Sequence, residues 1–161
     1  MGEGGGPPVP FGAVSFEAAL RLTEMLLGWS LVVASLEHLG GLRRERLLFA
    51  VRLLLALCLV AGAWASAALL GLCATGVVTL WRFQGPYNGG SDRMGLLILF
   101  CLTLAHILPP VGAELALGYL AVQVVLSYVI SGQVKLVNPD WRSGTALGEV
   151  FAFSAYPGSP A

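Results

Sequence analysis

Lys135 closes a long apolar run and leads directly into Leu136-Val-Asn-Pro-Asp-Trp141. A cationic side chain at the rim of a membrane helix either anchors to headgroups or acts as a chemical tool, and the two roles imply different proteins. Around it the ionisable residues are few, with nine basic and nine acidic side chains and two histidines in 161 residues. Each one inside an apolar stretch costs several kilocalories per mole unless paired, so each is a candidate site.

Two groups emerge once the apolar stretches are laid out. Arg21 and Glu24 fall at the same level as His106 and Glu114, and a carboxylate beside a histidine can carry a proton or fix a polar headgroup. Arg52, Arg82, Asp92, Arg93 and Lys135 gather at the opposite level, with Glu37 and His38 approaching and Trp141 following. Excess positive charge beside aromatics suits anionic lipid headgroups or an acidic loop of a partner. The plain alternative for the first group is side chains near helix ends reaching water, and for the second it is topology anchoring.

The elements that would position these residues are helices in a bilayer. A composition 57% hydrophobic and 11% charged cannot clothe a soluble domain of this length in polar surface. Five apolar stretches are predicted, at Phe16 to Leu39, Leu47 to Trp64, Ala67 to Leu80, Met94 to Leu108 and Ala113 to Leu136. The first is expected to remain as a helix and not to be a cleaved leader. Eight of the nine basic residues then fall on one side, since Arg43, Arg44, Arg46, Arg82, Arg93 and Arg142 lie in or beside alternate connections, with Arg52 and Lys135 just inside their helices. The other connections, Ala65-Ser66 and Pro109 to Gly112, carry none.

Lysine and arginine collect in cytoplasmic loops, so the expectation is an all-α polytopic bundle of five spans, amino terminus outside and carboxyl terminus cytoplasmic. Arg21, the exception, has Glu17 and Glu24 at helical spacing to neutralise it. Three segments follow: a Gly/Pro-rich tail over 1–15, a transmembrane bundle over 16–136, and an interfacial segment over 137–161.

Other chemistry finds no motif. Cys58, Cys73 and Cys101 are isolated in apolar stretches, so they are expected to pack, and no metal site is predicted. There is no phosphate loop, Gly-x-Ser-x-Gly elbow or His-Glu-x-x-His pair, and no basic stripe for nucleic acid.

Tyr128, Gly132, Lys135-Leu136, Asp140-Trp141 and Gly144 resemble the signature of the HTTM family, the transmembrane module shared with vitamin K-dependent gamma-carboxylase. Tyr87-Asn-Gly-Gly-Ser-Asp-Arg-Met94 is similar to a loop of its bacterial members, and DoxX- and MauE-type proteins share the Gly-x-x-Lys-Leu ending. The resemblance implies a helical membrane protein in which Lys135 matches a base acting on reduced vitamin K. Carboxylation itself is not expected, because the histidine of the carboxylase loop has no counterpart between Asn88 and Asp92.

The expected function is therefore a non-catalytic accessory or structural subunit of a larger redox or photosynthetic assembly in a bacterial inner membrane. Its partners would be membrane lipids and other membrane subunits, with no cofactor of its own. Two alternatives stand beside it: an enzyme or carrier acting on a quinone or other isoprenoid lipid with Lys135 as base, and a MauE-like maturation factor.

Overall fold

The computed structural model describes residues 15–39, 43–82 and 91–152, and these are helical with no strand among them. The helices are α1 (Phe16–Leu39), α2 (Arg43–Ala61), α3 (Ala65–Arg82), α4 (Ser91–Ile107), α5 (Pro110–Val137), α6 (Pro139–Ser143) and α7 (Thr145–Ala152). The expected tail over 1–15 except Ser15, the Tyr87 loop and the side chains of Arg43, Arg44 and Arg82 lie outside the described residues. By length and composition α1 and α5 can each cross a membrane, and α3 is apolar but shorter.

Local chemistry sets the boundaries. The Ser15 hydroxyl accepts from the Ala18 amide at 3.2 Å, satisfying one of the orphan donors at the start of α1. Pro110 opens α5, where its missing N–H is no loss. Between α2 and α3 the chain turns through Gly62 at φ 75°. There the Gly62 amide bonds the Leu59 carbonyl at 3.1 Å and the Ala63 amide bonds the Cys58 carbonyl at 2.9 Å. This paired arrangement, with glycine in the left-handed region, is a Schellman cap.

Two sequence boundaries move as a result. The turn is Gly62–Trp64, where a connection at Ala65-Ser66 was predicted, so Ser66 lies in the first turn of α3. Hydropathy cannot see the difference, because Gly62, Ala63 and Trp64 are as apolar as their neighbours. Likewise α2 begins at Arg43 and not Leu47, since arginine and glutamate favour a helix even where they end an apolar run.

The chain divides into two compact units, one ending at Leu120 and the other beginning at Ala121. In the first, α1 packs on α2, α2 on α3 and α3 on α4, with α4 returning to α1. Leu27, Leu31, Ala56, Leu59, Leu69, Leu72, Leu99 and Leu102 fill the centre. Close approach of α1 and α2 depends on Gly28, where an added Cβ would lie 2.8 Å from Val60 Cγ2 and 3.3 Å from the Ala56 carbonyl oxygen.

Apolar side chains fill the interior of this bundle and also cover much of its outside, with a few polar groups enclosed among them. The buried faces hold Glu24 and Ser35 of α1, Arg52 of α2, Thr79 of α3 and Thr103 of α4. Outward faces carry Leu26 and Trp29, Leu47 and Leu54, Val77, and Phe100. A water-soluble bundle has a similar core but covers its outward faces with polar residues.

The second unit contains the motif residues from Tyr128 to Gly144. Asn138 caps α6 by accepting from the Asp140 amide at 2.9 Å, Pro139 follows it, and Gly144 at φ 84° ends the helix. The ammonium of Lys135 lies 5.0 Å from the centre of the Trp141 ring. In local terms the signature is a helix end, a capped turn and a cation–π contact.

Candidate functional site

The Schellman cap at the end of α2 leaves carbonyls that the helix itself cannot satisfy. Arg21, one helix away, donates to the Val60 carbonyl and adds a second donor to the Leu59 carbonyl, which already accepts from the Gly62 amide. Its Nη1 donates to the Leu59 carbonyl at 2.7 Å and its Nη2 to the Val60 carbonyl. Gly62 makes room, since a Cβ there would stand 3.1 Å from Nη2.

The guanidinium also donates from Nη1 to Glu24 Oε2 at 2.9 Å, one turn along α1. Glu24 is only 3% exposed, so its carboxyl oxygens meet protein partners in place of water. Its other oxygen, Oε1, meets Nε2 of His106 at 2.5 Å, and His106 Nδ1 lies 3.1 Å from the hydroxyl of Ser66. The result is one hydrogen-bonded path from α2 through α1 and α4 to α3. It runs from the Leu59 and Val60 carbonyls through Arg21, Glu24 and His106 to Ser66.

Three of the four residues expected in this cluster are therefore brought together. Glu114 is not, because it is exposed on the first turns of α5 and outside the path. Ser66 was missed altogether. A lone hydroxyl in a charge-free connection carries no sequence signal, and only the packing of α3 on α4 brings it to the imidazole.

The roles of the imidazole nitrogens follow from their neighbours. With Glu24 ionised and the ring neutral, Nε2 donates to Glu24 and Nδ1 presents its lone pair to Ser66. The orientation is fixed from both sides.

At the other end of the bundle, Arg52 is buried and donates from Nη1 to Thr79 Oγ1 at 3.0 Å, with Asp92 as a compensating charge. Thr79 passes its own hydrogen to the Thr75 carbonyl at 2.8 Å. Arg52 Nε finds no acceptor among the described residues. Arg93 is exposed and lines an apolar groove of about 360 Å³ with Cys73, Val77, Leu96, Leu97 and Phe100. His38 stacks on Phe49 with ring centres 4.4 Å apart. Lys135 and Trp141 belong to the second unit, where they contact each other.

The cysteines are free, and Cys73 pairs with the Thr103 hydroxyl at 3.4 Å. Among the described residues no three His, Cys, Asp or Glu side chains gather in a way that could hold a metal ion.

The chain matches no family model, no curated protein and no solved structure. The HTTM resemblance thus rests on the motif residues themselves.

Proposed function

We propose that this chain is a five-span protein of a bacterial inner membrane that serves as an accessory subunit of a larger redox or photosynthetic assembly. Its amino terminus is outside and its carboxyl terminus cytoplasmic. The large apolar side chains on the outward faces of the first four helices support immersion of all of them, including α2 and α4, whose charged ends would lie at the cytoplasmic surface.

The observation that carries the subunit role is the surface of α5. The helix has 28 residues, about 42 Å at helical rise, against a hydrocarbon core of about 30 Å. From Ala121 to Val137 each residue is exposed or half-buried. That surface is not uniformly greasy: Ser127 and Ser131 lie four apart on one exposed face, beside Tyr128. Small hydroxyl residues at this spacing let a second membrane helix approach closely and hydrogen-bond to it.

Purification in a mild detergent followed by native mass analysis tests the reading. Stoichiometric membrane partners are expected, and Ser127→Leu with Ser131→Leu should release them. A monodisperse chain carrying only lipid would overturn it.

A second reading has one observation in its favour, the groove beside Arg93. An apolar groove with one arginine among its lining residues suits an acyl or isoprenoid lipid with an anionic head. Extracted lipid enriched in quinone or polyprenyl species, and lost with Arg93→Gln, would favour it. The companion idea of Lys135 as base requires its ammonium to leave the Trp141 ring.

A further inference from the structure

We propose that Ser66, His106 and Glu24 form a nucleophilic acyl-transfer centre that acts on the ester bonds of membrane lipids. This goes beyond the subunit role and does not depend on it.

Nucleophilic catalysis by serine needs a hydroxyl, a base within hydrogen-bond reach of it, and a third group that orients the base. All three stand in line here. Ser66 Oγ is 3.1 Å from His106 Nδ1, and His106 Nε2 is 2.5 Å from Glu24 Oε1. The two ring nitrogens are exchanged relative to the familiar serine hydrolase arrangement, but the roles are served equally: one nitrogen takes a proton and the other gives one to a carboxylate. Arg21, bonded to Glu24 at 2.9 Å, holds that carboxylate in place.

Exposure is graded in the way the chemistry requires. Glu24 is buried, His106 is half-buried, and Ser66 is exposed where a substrate can reach it. Ser66 also sits in the first turn of the 18-residue α3. The first amides of a helix have no intrahelical acceptor and its amino end is electropositive, so the amides of Ser66 and Ala67 can receive a developing oxyanion.

The segment before Ser66 is conformationally special as well. Trp64 occupies the left-handed region at φ 51°, which a bulky side chain adopts only when its surroundings impose it. Its indole is 87% exposed, two residues before Ser66, a placement that suits docking at the headgroup level of a bilayer. That position favours an ester near the glycerol backbone of a lipid.

In the reaction, Ser66 Oγ attacks the ester carbonyl carbon while its proton passes to His106 Nδ1. The tetrahedral oxyanion rests on the α3 amides. Collapse breaks the bond to the alcohol oxygen, which leaves with the proton from Nδ1, and the acyl group stays on Ser66. Water, deprotonated by Nδ1, then releases the fatty acid and restores the hydroxyl. Ester and water become acid and alcohol, with no further reagent. Glu24 and Arg21 are positioning residues throughout.

The full chain in phospholipid nanodiscs, treated with a fluorophosphonate probe, tests the assignment. Peptide mapping should place the label on Ser66, and Ser66→Ala should abolish both the label and hydrolysis of the surrounding phospholipid. Glu24→Gln turns a carboxamide N–H towards Nε2 and disfavours the productive tautomer, so labelling per folded molecule should fall by about 10²–10⁴-fold, with Glu24→Asp partly restoring it. A purely structural Glu24 would change stability without changing labelling of the folded fraction. If these variants fold poorly, the thiol introduced by Ser66→Cys gives a second readout. At neutral pH it should be alkylated at least about tenfold faster than the same thiol in the His106→Gln background. A folded protein with no label on Ser66, or a thiol whose rate His106→Gln leaves unchanged, would overturn the proposal.

Discussion

Replacing Arg21 by methionine removes three things at once: the ion pair to Glu24 and the donors for the Leu59 and Val60 carbonyls. Breaking a buried ion pair costs about 3–5 kcal/mol when the surviving charge has no other solvent. Glu24 meets that condition at 4% side-chain exposure, but Arg21 is 35% exposed, so screening reduces the loss. A hydrogen bond from a charged donor contributes about 1.5–3 kcal/mol; the Val60 carbonyl loses its donor, while the Leu59 carbonyl keeps the Gly62 amide. These contributions are not additive, and the expected destabilisation is about 3 kcal/mol.

The informative measurement is the double-mutant cycle with Glu24→Gln, by reversible unfolding in mixed micelles. Once Glu24 is neutral, removing Arg21 no longer strands a charge, so the double variant should recover roughly 2 kcal/mol relative to the sum of the two singles. His106 must be followed in the same cycle, because it contacts the other carboxylate oxygen and absorbs part of the loss when Arg21 is gone. A coupling energy below about 0.5 kcal/mol would refute the buried pair as the organiser of this end of the bundle.

Three further outcomes are expected. Gly28→Ala should destabilise by about 1–3 kcal/mol in the same unfolding assay, because the new methyl meets Val60 and the Ala56 carbonyl, while Val60→Ala in the same chain should relieve much of it. Thr79→Val should cost about 1–3 kcal/mol by leaving Arg52 without its acceptor, and Arg52→Met should cost less in the Thr79→Val background than alone. Asn138→Ala should weaken α6 by about 1 kcal/mol, read as faster amide exchange at Asp140 and Trp141 with α1 unchanged.

The helical elements were legible in the residues because long apolar runs without internal proline, bounded by charges and by glycine or proline, read as helices. Phe16–Leu39 is read to the residue, and α3, α4 and α5 to within three. The level shared by Arg21, Glu24 and His106 followed from counting spans and placing charges. Tertiary structure decided the rest. Whether Glu114 joins that cluster depends on which side of α5 meets the bundle, and it stands on the exposed side. The partner of Arg52 is a neutral threonine 27 positions away. Ser66 is invisible to pattern reading, since a hydroxyl acquires meaning only from its neighbour, and His106 is 40 residues distant. Hydropathy reports which segments leave water, whereas hydrogen bonds between helices depend on rotation and approach, set here by Gly28 and by the cap at Gly62.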